Sequence, residues 1–199
     1  MKTYRERFPE VRVTLHEWTS AVQMERLREG QIEVGFMRAP VDDEELITEH
    51  VFDEPIVAAL PENHPLAARE TVPPEKLANE PFVMVPRHKE PNSFDTYVGI
   101  CQRAGFSPHI VQEVFEIHAI VGLVATGMGV AFVPDSIKVF QRPGIVYRAL
   151  QDQDAQIGTA VVRRNADPPP VLQMFISTLR KAVTELPQSS GKQLTENPS

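Results

Sequence analysis

The chain has 199 residues, of which 42% are apolar, 24% charged and 7% aromatic, enough for one or two domains with a sizeable buried core. No apolar run reaches the roughly 18 residues that cross a bilayer, and the first seven residues lead into charge rather than an apolar signal core, so neither a membrane span nor an export signal is expected. Twenty Lys and Arg against 27 Asp and Glu give a formal net charge of -7 without a basic cluster, which argues against direct binding of DNA or RNA by this chain, and Cys101, the single cysteine, excludes an internal disulfide and a multi-cysteine zinc site. A reducing, cytoplasmic setting fits.

Eighteen prolines divide the apolar runs, so short and numerous elements are expected. Val11, Val13 and Leu15 alternate with Arg12, Thr14 and His16, the period of a strand with one buried face. Ser20-Ala-Val-Gln23 has the pattern of a capping box and Gly30 that of a C-terminal stop, which predicts a helix over 21–29. Ile32, Val34 and Phe36 alternate again, completing a strand-helix-strand unit of the kind that favours a parallel sheet. Leu46–Phe52 and Ile56–Leu60 read as two strands joined near Pro55, the second apolar enough for burial on both faces. A short helix at Pro74–Ala78 and a strand at Phe82–Val85 follow.

The second half repeats the alternation. Phe94, Tyr97, Val98, Cys101 and Ala104 lie at helical spacing, and Ile110–Val114 reads as a strand. Ile117, Ile120, Val121 and Val124 form the next helical stripe, ended by Gly127. Val130–Val133, Ile145–Leu150 and Ile157–Val162 read as strands. After Pro168–Pro170, residues Val171, Leu172, Phe175, Ile176, Leu179 and Val183 keep one face of a helix. From Pro187 the composition is polar without an apolar period, and a disordered tail over 187–199 is expected.

Four stretches, in this order, resemble the effector-binding domain of LysR-type transcriptional regulators. They are Phe8-Pro-Glu-Val-Arg-Val-Thr-Leu15 with the helix exit Leu27-Arg-Glu-Gly-Gln-Ile-Glu-Val-Gly-Phe36; Val57-Ala-Ala-Leu-Pro-Glu-Asn-His-Pro-Leu66; Gly122-Leu-Val-Ala-Thr-Gly-Met-Gly-Val-Ala-Phe-Val-Pro134; and the Pro-rich turn with the last amphipathic helix. The resemblance covers about Tyr4 to Val183. It implies an α/β fold of the periplasmic-binding-protein-like type 2, in which two Rossmann-like subdomains joined by two crossover strands hold a small effector in the cleft between them. The crossovers then fall near Glu54–Leu60 and Ile157–Val162. Residues 1–54 and 163–186 make subdomain I, and 55–162 make subdomain II. Such regulators also carry a winged helix-turn-helix, a linker helix and one more strand before the point at which this chain begins, so DNA contact is expected only through a domain outside this sequence. Without that strand, reduced stability is expected.

Within the family, the resemblance is to regulators of aromatic-acid degradation that sense benzoate or muconate. It is carried by Glu17-Trp18-Thr19-Ser20, Gly35-Phe36-Met37-Arg38, Pro91-Asn92-Ser93-Phe94 and Glu113-Val114-Phe115-Glu116. A helix start offers unpaired N–H groups and the positive end of the dipole, so Ser20 is either a plain N-cap or a hydroxyl that holds a carboxylate, with Thr19 as its substitute if the register is off by one. Arg38 is either a carboxylate clamp or a surface partner of Asp42 or Asp43. Asn92 and Ser93 open a helix and either cap it or bind the other end of a dicarboxylate, while Phe94 and Ile117 offer apolar walls or core packing. His118 is expected to face solvent or to cap. This set offers donors and almost no acceptors, which selects an anion.

Gly127-Met-Gly129 follows a helix and precedes a strand, the reverse of a dinucleotide fingerprint, and Phe132 stands where a third glycine belongs. No nucleophile elbow or P-loop occurs, the six histidines lack ligand spacing, and Cys101 lies on an apolar stripe as a core thiol, so neither catalytic residues, metal nor cofactor is expected. The reading is an effector-sensing domain for a small, aromatic or unsaturated carboxylate, forming a homodimer or higher homo-oligomer. Val22, Met24 and Leu27 and the helix from Phe94 are the candidate contact faces. The rivals are an extracytoplasmic solute-binding protein and an enzyme on the same fold.

Overall fold

A computed structural model describes residues 2–184, so the expected tail at 187–199 lies outside the described residues. In chain order its helices and strands are α1 (Lys2–Arg7), α2 (Ser20–Arg28), β1 (Gly35–Arg38), β2 (Leu46–Pro61), β3 (Thr71–Val72), β4 (Pro81–Met84), α3 (Pro91–Arg103), β5 (His109–Glu113), α4 (Ile117–Ala125), β6 (Ala131–Pro134), β7 (Ile145–Leu150), β8 (Gln156–Arg164) and α5 (Pro170–Thr184). Short 3-10 turns occupy Pro65–Ala68, Pro74–Leu77 and Asp135–Val139.

The described residues divide into two compact units, 2–14 with 167–184, and Leu15–Ala166. In the first, the buried Tyr4 of α1 donates its hydroxyl to the Val171 carbonyl at 3.0 Å and meets Phe175 edge-on, with centroids 5.2 Å apart. Leu172 and Ile176 of α5 are buried at i, i+4 spacing, the face the apolar period predicts.

In the second unit a mixed sheet runs β1-β8-β2-β7-β3, with β6 on β2, and β4 pairs with β5 separately. All pairs in the larger sheet are antiparallel except β3 with β7. The two strands expected around Pro55 are one 16-residue strand, β2, which pairs β8 as far as Pro55 and β6 and β7 from Ile56 onward. Proline interrupts nothing there because it sits where the strand changes partner, so its missing N–H breaks no central rung.

The expected strand-helix-strand unit does not form. Residues 11–19 carry no strand, because alternation supplies a face but a strand also needs a neighbour, and no ladder pairs them. The strand expected at 32–36 begins at Gly35 instead, since the exit from α2 uses the residues before it: Gly30 turns at φ +70°, and Gln31 and Ile32 donate their N–H groups back to the Arg26 carbonyl. The resulting β1 runs antiparallel to β8.

Two apolar cores lie in this unit. The larger is built on Ile56–Leu60, every residue at most 2% exposed, with Phe82, Ile100, Cys101, Val124 and Phe132. The smaller joins Leu27, Met37, Leu46, Ala160 and Val162. Gly129 is required by close approach: a Cβ there would overlap the Pro81 carbonyl, which accepts the Val130 N–H at 2.8 Å while the Val130 carbonyl accepts the Val83 N–H at 2.9 Å, joining the start of β6 to β4. Leu27, Tyr97, Ile100 and Cys101 are buried within these cores, which accounts for much of the two stripes considered as contact faces.

Candidate functional site

A cavity of about 460 Å³ opens among residues 15–166, between the elements that carry the two cores. Trp18, Ser20 and Gln23 at the start of α2, Phe36 and Arg38 of β1, Phe52 and Glu54 of β2 and Thr159 of β8 line one side. Glu90 and Ser93 at the start of α3 and Phe115, Glu116, Ile117 and His118 at the start of α4 line the other. The rings of Trp18, Phe36, Phe52 and Phe115 with Ile117 supply apolar wall, and helix starts supply polar ends.

The register of α2 decides what Ser20 can do. Thr19, not Ser20, is the N-cap: its Oγ1 accepts from the Val22 N–H at 3.4 Å. Gln23 bonds outside the helix, donating to the Trp18 carbonyl at 3.0 Å and accepting the Phe36 N–H at 3.1 Å. Ser20, 7% exposed, therefore keeps both its N–H and its hydroxyl for the cavity, and both donate to the Glu90 carboxylate, to Oε1 at 3.3 Å and Oε2 at 3.1 Å.

Arg38 turns to neither Asp42 nor Asp43. Its Nη1 donates to Glu54 Oε1 at 2.7 Å and to Thr159 Oγ1 at 2.9 Å. The other oxygen of Glu54 accepts the Ser136 N–H at 3.1 Å, so a 9%-exposed carboxylate is held by charge and by hydrogen bonds together. Asp43 pairs instead with Arg28, whose guanidinium holds its carboxyl below the usual range.

Ser20, Arg38, Ser93 and Ile117 thus meet at one cavity, whereas Thr19, Asn92 and Phe94 do not line it. Asn92 is a tether: its side-chain amide donates to the carbonyls of Arg38 at 2.7 Å and Pro40 at 2.6 Å. Phe94 packs against the larger core. His118 is exposed, meets the Phe140 ring edge-on at 4.7 Å and also lines the cavity. The expected scarcity of acceptors is corrected, since Glu17, Glu54, Glu90 and Glu116 line the cavity against one arginine. Neither Glu54 nor Glu90 stands among the expected site residues; an acidic pair, Asp53-Glu54, before the apolar run of 56–60 and an acid directly before Pro91 were the available signals.

Among the described residues no group of three or more His, Cys, Asp or Glu side chains is placed to hold a metal ion, and no helix is long and apolar enough to cross a membrane. Residues 1–184 match the family model described as the LysR substrate binding domain. The HTH-type transcriptional regulator AlsR of Bacillus subtilis is 33% identical over 176 residues, 88% of this chain and 58% of that protein. The HTH-type transcriptional regulator CatR of Pseudomonas putida is 32% identical over 170 residues, 85% of this chain and again 58% of the relative. The chain therefore spans less than two thirds of the length of these relatives. A solved structure described as "BenM effector binding domain with its effector benzoate" superposes with a TM-score of 0.81 at 27% identity, over 92% of this chain and 83% of that one.

Proposed function

The chain belongs to the LysR substrate binding domain family, and from that premise we propose that it senses a small aromatic or unsaturated carboxylate in the cavity at Ser20 and transmits its presence to a DNA-binding helix-turn-helix carried by the whole regulator. The single observation that carries the ligand class is the pair of hydrogen bonds from Ser20 N–H and Oγ to the Glu90 carboxylate. A helix start that already grips one carboxylate is built to grip another. The aromatic lining suits a flat apolar body. The relatives are named as transcriptional regulators, so the domain reads as a sensor rather than as an enzyme or a solute carrier.

The same reading divides residues 15–166 at about 54/55, supported by the change of partners along β2, and within β8 between Ile157, which packs in the larger core, and Ala160 and Val162, which pack in the smaller one, rather than at the expected 162/163. It also takes the assembled regulator to be a cytoplasmic homodimer or higher homo-oligomer. Effector binding then biases an equilibrium between arrangements of the subdomains in proportion to its differential affinity for them.

Calorimetric titration of benzoate and benzamide tests the ligand class. The acid is expected to bind and the amide to bind at least tenfold more weakly, and Ser20→Ala is expected to weaken the acid by about tenfold through loss of a charge-assisted hydrogen bond. Equal affinities for acid and amide overturn the carboxylate reading.

A further inference from the structure

We infer that Glu90 is a built-in competitor of the effector: its carboxylate occupies the place on Ser20 that the effector's carboxylate takes, so that binding is an exchange of one carboxylate for another. The inference rests on the carboxylate reading above and adds how the site is regulated.

The geometry is that of an occupied site. Both oxygens of Glu90 are used, one by the Ser20 N–H and one by its hydroxyl. Two donors on one residue cannot serve two carboxylates at once, because like charges at such separation repel and each donor has one proton to give. Glu17, Glu54 and Glu116 line the same cavity and add to that repulsion, and Arg38 is already engaged by Glu54. An incoming anion therefore has to displace Glu90 rather than sit beside it.

The fold lets Glu90 leave without unravelling what holds it. Glu90 stands at the N-cap position of α3, yet its side chain makes no capping bond, so the helix does not depend on the carboxylate. Two residues on, Asn92 pins the start of α3 to the carbonyls of Arg38 and Pro40. With that tether in place, a rotation of the Glu90 side chain frees the Ser20 donors. The apparent dissociation constant is the intrinsic one divided by the fraction of molecules with Ser20 free, so a contact closed about nine tenths of the time weakens the effector about tenfold.

The test compares the unmodified chain with Glu90→Gln, Glu90→Ala and Ser20→Ala. Hydrogen exchange at the Ser20 amide, measured without ligand, is expected to accelerate in both Glu90 variants; unchanged exchange overturns the inference. Benzoate is then titrated by calorimetry. A gain of about tenfold in Glu90→Gln and Glu90→Ala, lost when Ser20→Ala is added, supports the exchange. Benzoate affinity that is measurable but equal in the unmodified chain and in both Glu90 variants overturns the exchange and leaves the carboxylate reading standing. Binding of benzoate by none of the proteins overturns the carboxylate reading and the exchange with it.

Discussion

Arg38 and Glu54 meet at 2.7 Å on one side of the cavity, the arginine from β1 and the glutamate from β2. Their side chains retain 25% and 11% of their exposure, so the pair is partly screened but the carboxylate is nearly enclosed. Arg38→Leu leaves Glu54 with only the Ser136 N–H, and the cost of an underpaired carboxylate, discounted for that residual exposure, is about 1–3 kcal/mol. The double variant Arg38→Leu/Glu54→Leu is expected to regain most of it. Urea unfolding of the two variants reads the difference, and a double variant as unstable as the single one contradicts the pairing as the source of the loss.

Asn92 acts on the same strand by another route. Its amide spans two backbone carbonyls, those of Arg38 and Pro40, and so ties the start of α3 to the end of β1. Asn92→Ala removes both hydrogen bonds for a loss of about 1–2 kcal/mol, which for a chain of this size is a fall in Tm of roughly 2–8 °C. Asn92→Asp keeps the shape but turns an anion toward two carbonyl oxygens, and is expected to be the worse of the two. A thermal melt that ranks Asp above Ala is the contrary result.

The sequence made the regular parts of this fold legible. Buried residues of α5 recur at 172 and 176, and Ile56–Leu60 form a continuous apolar run, so periodicity and composition found both elements. It failed where a neighbour decides. Val11–Leu15 have the alternation of a strand but no pairing, and Ile32–Val34 have it but are drawn into the exit of α2. At the site, local chemistry pointed to Ser20 and Arg38 but not to what they touch. The partner of Ser20 stands 70 residues away and Thr159 stands 121 residues from Arg38, distances at which no spacing rule operates. The one-residue shift of the cap from Ser20 to Thr19 mattered most, because it leaves the Ser20 hydroxyl to face the cavity.

The charge of the lining bears on which carboxylates the cavity accepts. After one carboxylate takes the Ser20 donors, a second has to settle among Glu17, Glu90 and Glu116, with Arg38 already paired to Glu54. Placing like charges together in a partly enclosed site costs several kcal/mol unless a cation answers them. Benzoate is therefore expected to bind at least tenfold more tightly than muconate, which carries two carboxylates. Equal affinity, or a preference for muconate, in parallel calorimetric titrations would show that Ser93 and the start of α3 supply more donor capacity than the lining suggests.

Cys101 gives a readout of the larger core that does not depend on any ligand. It is fully buried on α3, and burial pushes its thiol from the ordinary value of 9.0 up to about 12. Two consequences follow from one cause. At neutral pH the folded chain presents neither access nor thiolate, so iodoacetamide is expected to leave Cys101 unmodified until urea unfolds the protein, as intact mass spectrometry would record. The second concerns stability against pH. Because the folded value lies above the unfolded one, the unfolded chain releases the proton first; the contribution is fully present below pH 9 and is lost progressively as pH rises toward about 12. Cys101→Ala removes that titration while leaving a small cavity, so its melting temperature is expected to start lower at pH 7 and to fall less steeply between pH 9 and 11 than that of the unmodified chain. Parallel slopes across that window would show that the thiol is not the group responsible.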